Sequence, residues 1–166
     1  MAKSKAATKE LEKAPKAAKN LGPHGARVRR GVEENRGSHA SLRRGVEEKP
    51  RIPKAVAAAV RAALDKKASD VVVLDLRKAG GFTDYFVIAS GTNPRQINAI
   101  ADSIEETLRK DLGERPALSE GMEKSEWILL DYFNFVVHVF SRECRAFYAL
   151  ERLWGSAERH EFSDEA

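Results

Sequence analysis

Cysteine is almost missing from this chain: Cys144 stands alone among 166 residues. A single thiol excludes an internal disulfide framework and a zinc knuckle, and it fits a reducing cytoplasm. The histidines, His24, His39, His138 and His160, share no ligand spacing, so no metal is assigned. Long apolar runs are lacking as well. None approaches the ~20 residues that cross a bilayer, and the lysine-rich start has no apolar core of a secretory signal. A soluble, cytoplasmic protein with no membrane partner is expected. The third shortage is of paired carboxylates. Two Mg²⁺ ions bridging phosphates commonly use two acids on one strand with one residue between, so that both face the same way. After Asp75, Asp84 and Asp131 the second position holds Arg77, Phe86 and Phe133, and no such pair occurs from residue 51 onward. The usual metal site of a nucleotidyl transferase therefore cannot be assembled. Glycine-rich phosphate loops are absent too, since Gly91 in Ser90-Gly91-Thr92 has no companions.

What is present is unevenly spread. Residues 1–50 hold 13 Lys and Arg against 6 Asp and Glu, a surplus of +7, and residues 51–166 hold 16 against 19, or −3, which together give the net +4. The first 50 residues have almost no large apolar side chains, so burial cannot offset an ordering entropy of roughly 1 to 2 kcal/mol per residue. They read as a disordered basic tail. Within it Arg-Arg-Gly-Val-Glu-Glu occurs at Arg29–Glu34 and again at Arg43–Glu48. The repeat is either a self-neutralising solvated segment or an arm that touches RNA phosphates through Arg29, Arg30, Arg43 and Arg44.

From residue 51 the pattern is that of one α/β domain, extending to about 158, with 159–166 returning to the composition of a disordered C-terminal tail. Pro53 opens a helix with Val56, Val60, Ala63 and Leu64 on one side. Val71–Leu76 and Tyr85–Ala89 are apolar strands that belong inside a covered sheet. Asn93 caps a long helix, with Pro94 at its first position and Gln96 placed for a capping box; Ile97, Ile100, Ala101, Ile104, Leu108 and Leu112 recur at helical spacing before Gly113. Pro116–Gly121 reads as a short edge strand and turn. Trp127–Asp131 and Phe135–Phe140 form a hairpin; with Asp131 opposite Val136, Ile128 and Leu130 share one face with Val137 and Val139, while Trp127, Leu129 and Asp131 share the other with Val136, His138 and Phe140. Ser141 caps a last helix carrying Phe147, Leu150, Leu153 and Trp154.

Few of these residues carry chemistry. A Cys144–His138 nucleophile pair would need the two side chains to face one another, and a small buried cysteine with a packed histidine is the commoner arrangement. No catalytic residue and no cofactor is assigned. The remaining oddity is aromatic content on a sheet face that helices either cover or leave open; left open, it would make Trp127 the anchor of a protein interface.

Several motifs occur in one order: Thr83-Asp84-Tyr85-Phe86-Val87-Ile88-Ala89-Ser90-Gly91-Thr92, Arg95-Gln96, Ala99-Ile100-Ala101-Asp102, Glu120-Gly121, Trp127-Ile128-Leu129-Leu130-Asp131-Tyr132, Val137-His138-Val139-Phe140, and Arg145, Phe147-Tyr148, Leu150-Glu151, Leu153-Trp154. In this order they resemble the ribosomal silencing factor family, RsfS or Iojap, over about residues 53–155. The resemblance implies a five-stranded mixed sheet with flanking helices, nucleotidyltransferase-like in fold without that activity. It implies a non-enzymatic repressor that binds the large ribosomal subunit, chiefly through large-subunit ribosomal protein number fourteen, at the intersubunit face, and blocks subunit joining when nutrients are short. It implies partner contacts at Trp127, Leu129, Asp131, Tyr132, Glu120, Gly121 and His138, and it permits a homodimer. Two other readings stand beside it: a nucleotide-dependent transferase with a degenerate site, and an RNA-binding accessory protein whose tail contacts rRNA.

Overall fold

The structure, a computed structural model, describes residues 50–164. The tail expected over the first 50 residues thus lies, but for Pro50, outside the described residues. Helix α1 (Lys54–Asp65) leads into strand β1 (Ser69–Asp75), and β2 (Tyr85–Gly91) returns beside it. Helix α2 (Pro94–Leu112) crosses over to β3 (Leu118–Glu120), β4 (Trp127–Asp131) and β5 (Phe135–Ser141). Short helices α3 (Arg142–Tyr148) and α4 (Leu150–Leu153) then precede β6 (Glu158–Phe162).

The strands form one mixed sheet in the order β3-β4-β5-β2-β1-β6, with β2 and β5 parallel and every other neighbouring pair antiparallel. It has six strands, one more than expected. The extra strand comes from residues assigned to the C-terminal tail: Glu-Arg-His-Glu-Phe has too few apolar side chains to read as a strand, yet it hydrogen-bonds along β1 from Asp75↔Glu158 to Val71↔Phe162. Backbone pairing outweighs composition there, because β1 is buried from Val71 to Leu74 and needs a partner for its outer N–H and C=O groups.

Helices cover both faces. One packs Val71, Val73, Val87, Ala89, Ile128, Leu130, Val137 and Val139 against the apolar stripes of α1 and α2. The other packs Val72, Leu74, Phe86, Ile88, Trp127, Leu129, Val136 and Phe140 against Leu150 and Trp154. The β4–β5 register places Asp131 opposite Val136 and Trp127 opposite Phe140, so the two faces divide as the alternation requires.

Helix α2 starts as its residues dictate. The Asn93 side chain accepts from the Gln96 N–H at 2.9 Å, and Gln96 Oε1 accepts from the Thr92 N–H at 2.8 Å, one residue earlier than the reciprocal bond of a capping box. Gln96 Nε2 also donates to the Lys66 and Lys67 carbonyls at 3.1 and 2.9 Å, tying this start to the end of α1. Gly113, in the left-handed region at φ 69°, ends α2, and Leu112 beside it is exposed instead of joining the stripe. The last helix differs from expectation. Ala149 at φ 44° breaks it in two, which turns Leu150 and Trp154 inward and leaves Phe147 and Leu153 about half exposed.

Candidate functional site

The motif residues expected to contact a partner meet where β3 and β4 pair and in the layer beneath them. Leu118 lies opposite Asp131 and Glu120 opposite Leu129. Residues directly opposite in an antiparallel pair share a face, so these belong to the same face as Trp127. Ser119 points the other way and donates to Glu105 of α2 at 3.0 Å. Because β3 is an edge strand of three residues, this corner has neighbours on one side only.

Gly121 fixes the exit from β3. Its φ of 87° is left-handed, and a Cβ there would stand 1.9 Å from the Trp127 carbonyl oxygen, inside van der Waals contact with main chain that cannot swing aside. Gly113 has a similar φ but open space around the missing Cβ. Gly121→Ala is therefore expected to cost more than about 2 kcal/mol and Gly113→Ala about 1, read by urea unfolding of the two variants. Equal costs would mean that the close approach to Trp127 is not what selects glycine.

Of the two alternatives for the Trp127 face, the structure has the covered one, and the ridge that would have been left open to dock is buried. Trp127 is 5 % exposed, Leu129 1 % and His138 0 %. The cover that periodicity left undecided is supplied by the broken helix: the Tyr148 ring lies 4.4 Å from that of Trp127, and Phe140 flanks it at 4.8 Å. Trp127 Nε1–H donates to His138 Nδ1 at 3.1 Å, which puts the imidazole proton on Nε2, a buried atom with no hydrogen-bond partner. Burial pushes the His138 imidazole down to about 3, so it is neutral at ordinary pH. Cys144 lies in the first turn of α3, where its N–H donates to the Ser141 cap Oγ at 3.2 Å, and His138 is engaged by Trp127.

Tyr132 departs from the others. It turns to the α2 side of the sheet and stacks on Phe135 with centroids 4.8 Å apart; its buried hydroxyl lacks a partner, and desolvation raises the phenol above its usual range. Asp131 remains half-buried and caps the hairpin, accepting from the Phe133 N–H at 2.9 Å while Phe133 takes φ 68° and projects into solvent. What a partner can reach is thus the corner of Leu118, Glu120, Gly121 and Asp131, with Trp127, Leu129 and His138 as its floor. Leu118, 40 % exposed, was not among the expected contacts. Its alternation partner on β3 could have pointed to it, but a three-residue strand has too short a period to read.

Among the described residues no group of His, Cys, Asp or Glu could hold a metal ion, and no helix is long and apolar enough to cross a membrane.

The pattern of the family described as "Ribosomal silencing factor during starvation" matches residues 49–166. The chain is 40 % identical over 99 residues to Ribosomal silencing factor RsfS of Halalkalibacterium halodurans, covering 60 % of this chain and 84 % of that one. It is 31 % identical over 91 residues to Mitochondrial assembly of ribosomal large subunit protein 1 of Mus musculus, covering 54 % and 40 % respectively. A crystal structure of a protein from Chromobacterium violaceum superposes with a TM-score of 0.59 at 33 % identity, over 68 % of this chain and 93 % of that one.

Proposed function

Since this chain belongs to the ribosomal silencing factor family, we propose that it represses translation by binding the large ribosomal subunit, through large-subunit ribosomal protein number fourteen at the intersubunit face, and obstructing subunit joining. Obstruction needs overlap and residence time, not turnover. No catalytic residue enters this reading.

The observation that carries it is the corner of β3 and β4: one exposed apolar side chain, Leu118, beside the carboxylates of Glu120 and Asp131. An apolar contact framed by acidic groups suits a basic ribosomal protein and disfavours naked rRNA. Trp127, Leu129 and His138 serve the interface from below as the packed layer under β4, and Tyr132 does so from the opposite face.

Leu118→Lys with Asp131→Asn tests the corner without disturbing the fold. Leu118 is on the rim, and asparagine keeps the acceptor for the Phe133 N–H. The double variant is expected to hold its unfolding free energy within about 0.5 kcal/mol and to lose at least about tenfold in affinity for purified large subunits. Co-sedimentation and subunit joining at low Mg²⁺ provide the readouts. Wild-type association by the variant would remove this corner as the docking surface.

A further inference from the structure

At the opposite edge of the sheet from β3, where β2 ends and β6 runs along β1, a shallow cleft of about 620 Å³ opens beside α3 and α4. Arg142, Arg145, Arg152 and Arg159 line it against two carboxylates, Asp70 and Glu151. This local surplus of positive charge sits on a stretch, residues 51–166, in which 16 basic residues face 19 acidic ones. Helical spacing explains the clustering, because Arg142, Arg145 and Ala146 fall at i, i+3 and i+4 on α3.

The arginines are not equivalent. Arg145 is fixed: Nη2 donates to Glu151 Oε1 at 2.6 Å, and Nη1 donates to the Asp70 carbonyl at 2.6 Å and Ser90 Oγ at 2.7 Å. Arg159 donates to Glu161 at 2.8 Å and lies 4.0 Å from Glu151. Arg142 and Arg152 are exposed and have no carboxylate partner among the described residues. Two uncommitted guanidinium groups thus flank a rigid one, and the small side chain of Ala146 leaves the floor between them accessible.

We infer that this cleft binds the phosphate backbone of single-stranded RNA without regard to base. Repeated, separated cations match a chain of phosphates, and an open, shallow shape admits a strand that continues past both ends. No aromatic ring lines the cleft, so there is nothing to stack a base or sandwich a mononucleotide. Glu151 is engaged by Arg145, which leaves Asp70 without a second free acid to share a divalent ion. The cleft lies at the opposite edge of the same sheet face from the Leu118 corner, and the inference does not depend on docking there.

The full chain is titrated with a short fluorescent oligouridine, with anisotropy followed from low to physiological salt. Arg142→Ala/Arg152→Ala is expected to bind about tenfold more weakly at low salt and to flatten the log–log salt slope by about 1.4, at about 0.7 for each phosphate that is no longer neutralised. Both side chains are exposed, so thermal unfolding should not move, and an oligoadenylate of equal length should bind within about twofold of oligouridine. Lys54→Ala/Arg61→Ala removes the same charge from exposed positions on α1 and should leave the slope unchanged. Equal weakening in the two double variants, or weakening in neither, would assign binding to charge elsewhere and overturn the inference. Displacement by inorganic triphosphate at matched phosphate concentration would overturn it as well, in favour of a small ligand.

Discussion

Replacing Trp127 by alanine lowers the unfolding free energy of the domain by about 3 to 5 kcal/mol, the range for deleting a large aromatic side chain from a packed core. The indole fills the space between Phe140 and Tyr148 and gives His138 its hydrogen bond. Truncation leaves a cavity together with an imidazole that has been deprived of its donor at Nδ1 and has no partner at Nε2. At roughly 4 to 8 °C per kcal/mol for a domain of this size, the melting temperature falls by about 12 °C or more. Trp127→Phe keeps most of the packing and removes the N–H, so it should fall between the two proteins. Urea unfolding of all three measures this, and a Trp127→Ala variant within about 1 kcal/mol of wild type would mean that the ring is not packed as described. The result also governs how binding data are read. Failure of Trp127→Ala to associate with the ribosome would report a disordered floor as readily as the removal of a direct interaction, which is why Leu118 and Asp131 are the better probes.

The second large effect is on acid stability. The folded state keeps His138 neutral down to about pH 3, whereas the unfolded chain protonates it near 6.5. Below 6.5 the unfolded state therefore binds the extra proton, and stability is lost as pH falls through the window from about 6.5 to 3. The slope from this one group approaches ~1.4 kcal/mol per pH unit below 6.5, which integrates to about 2 kcal/mol between pH 7.5 and 5, before most carboxylates titrate. Above pH 6.5 both states are neutral at this position and its contribution is constant. His138→Gln retains an acceptor for the Trp127 N–H and cannot take up the proton. Equilibrium unfolding of the two proteins between pH 7.5 and 5 should show wild type losing about 2 kcal/mol more than the variant. Parallel curves would show that the imidazole is hydrated in the native state.

These two residues also mark what could be read from amino-acid order. With Asp131 set opposite Val136, the register the structure has, alternation in Trp127–Asp131 and Phe135–Phe140 divides the hairpin into its two faces, because a slip by one would exchange them. Asn93, Pro94, Gln96 and Gly113 marked both ends of α2 because caps act locally. Whether Trp127 is covered depends on a contact with Tyr148 across 21 positions of chain, and the helix that brings Tyr148 there is broken by a left-handed alanine. Helical spacing could not show that break, since alanine is the strongest helix former and its φ is imposed by the packing of Leu150 and Trp154. Strand β6 was hidden for a related reason: its stability lies in main-chain bonds to β1, to which side-chain composition is blind. The arginine cleft joins Arg142, Arg145, Arg152 and Arg159 from two helices and a strand, so no linear motif announces it.

Strand β6 also disposes of a hazard. Had the chain stopped before Glu158, β1 would present a row of bare amide and carbonyl groups flanked by valine and leucine, a template for recruiting a strand from a neighbouring molecule. Strand β6 occupies that template and puts Glu158, Arg159 and Glu161 on the rim instead. An incoming strand would have to strip water from those ionised groups before any pairing could begin. On this flank the edge passes from an apolar strand to a charged one, and fibrous growth from it is discouraged by residues that composition dismissed as tail.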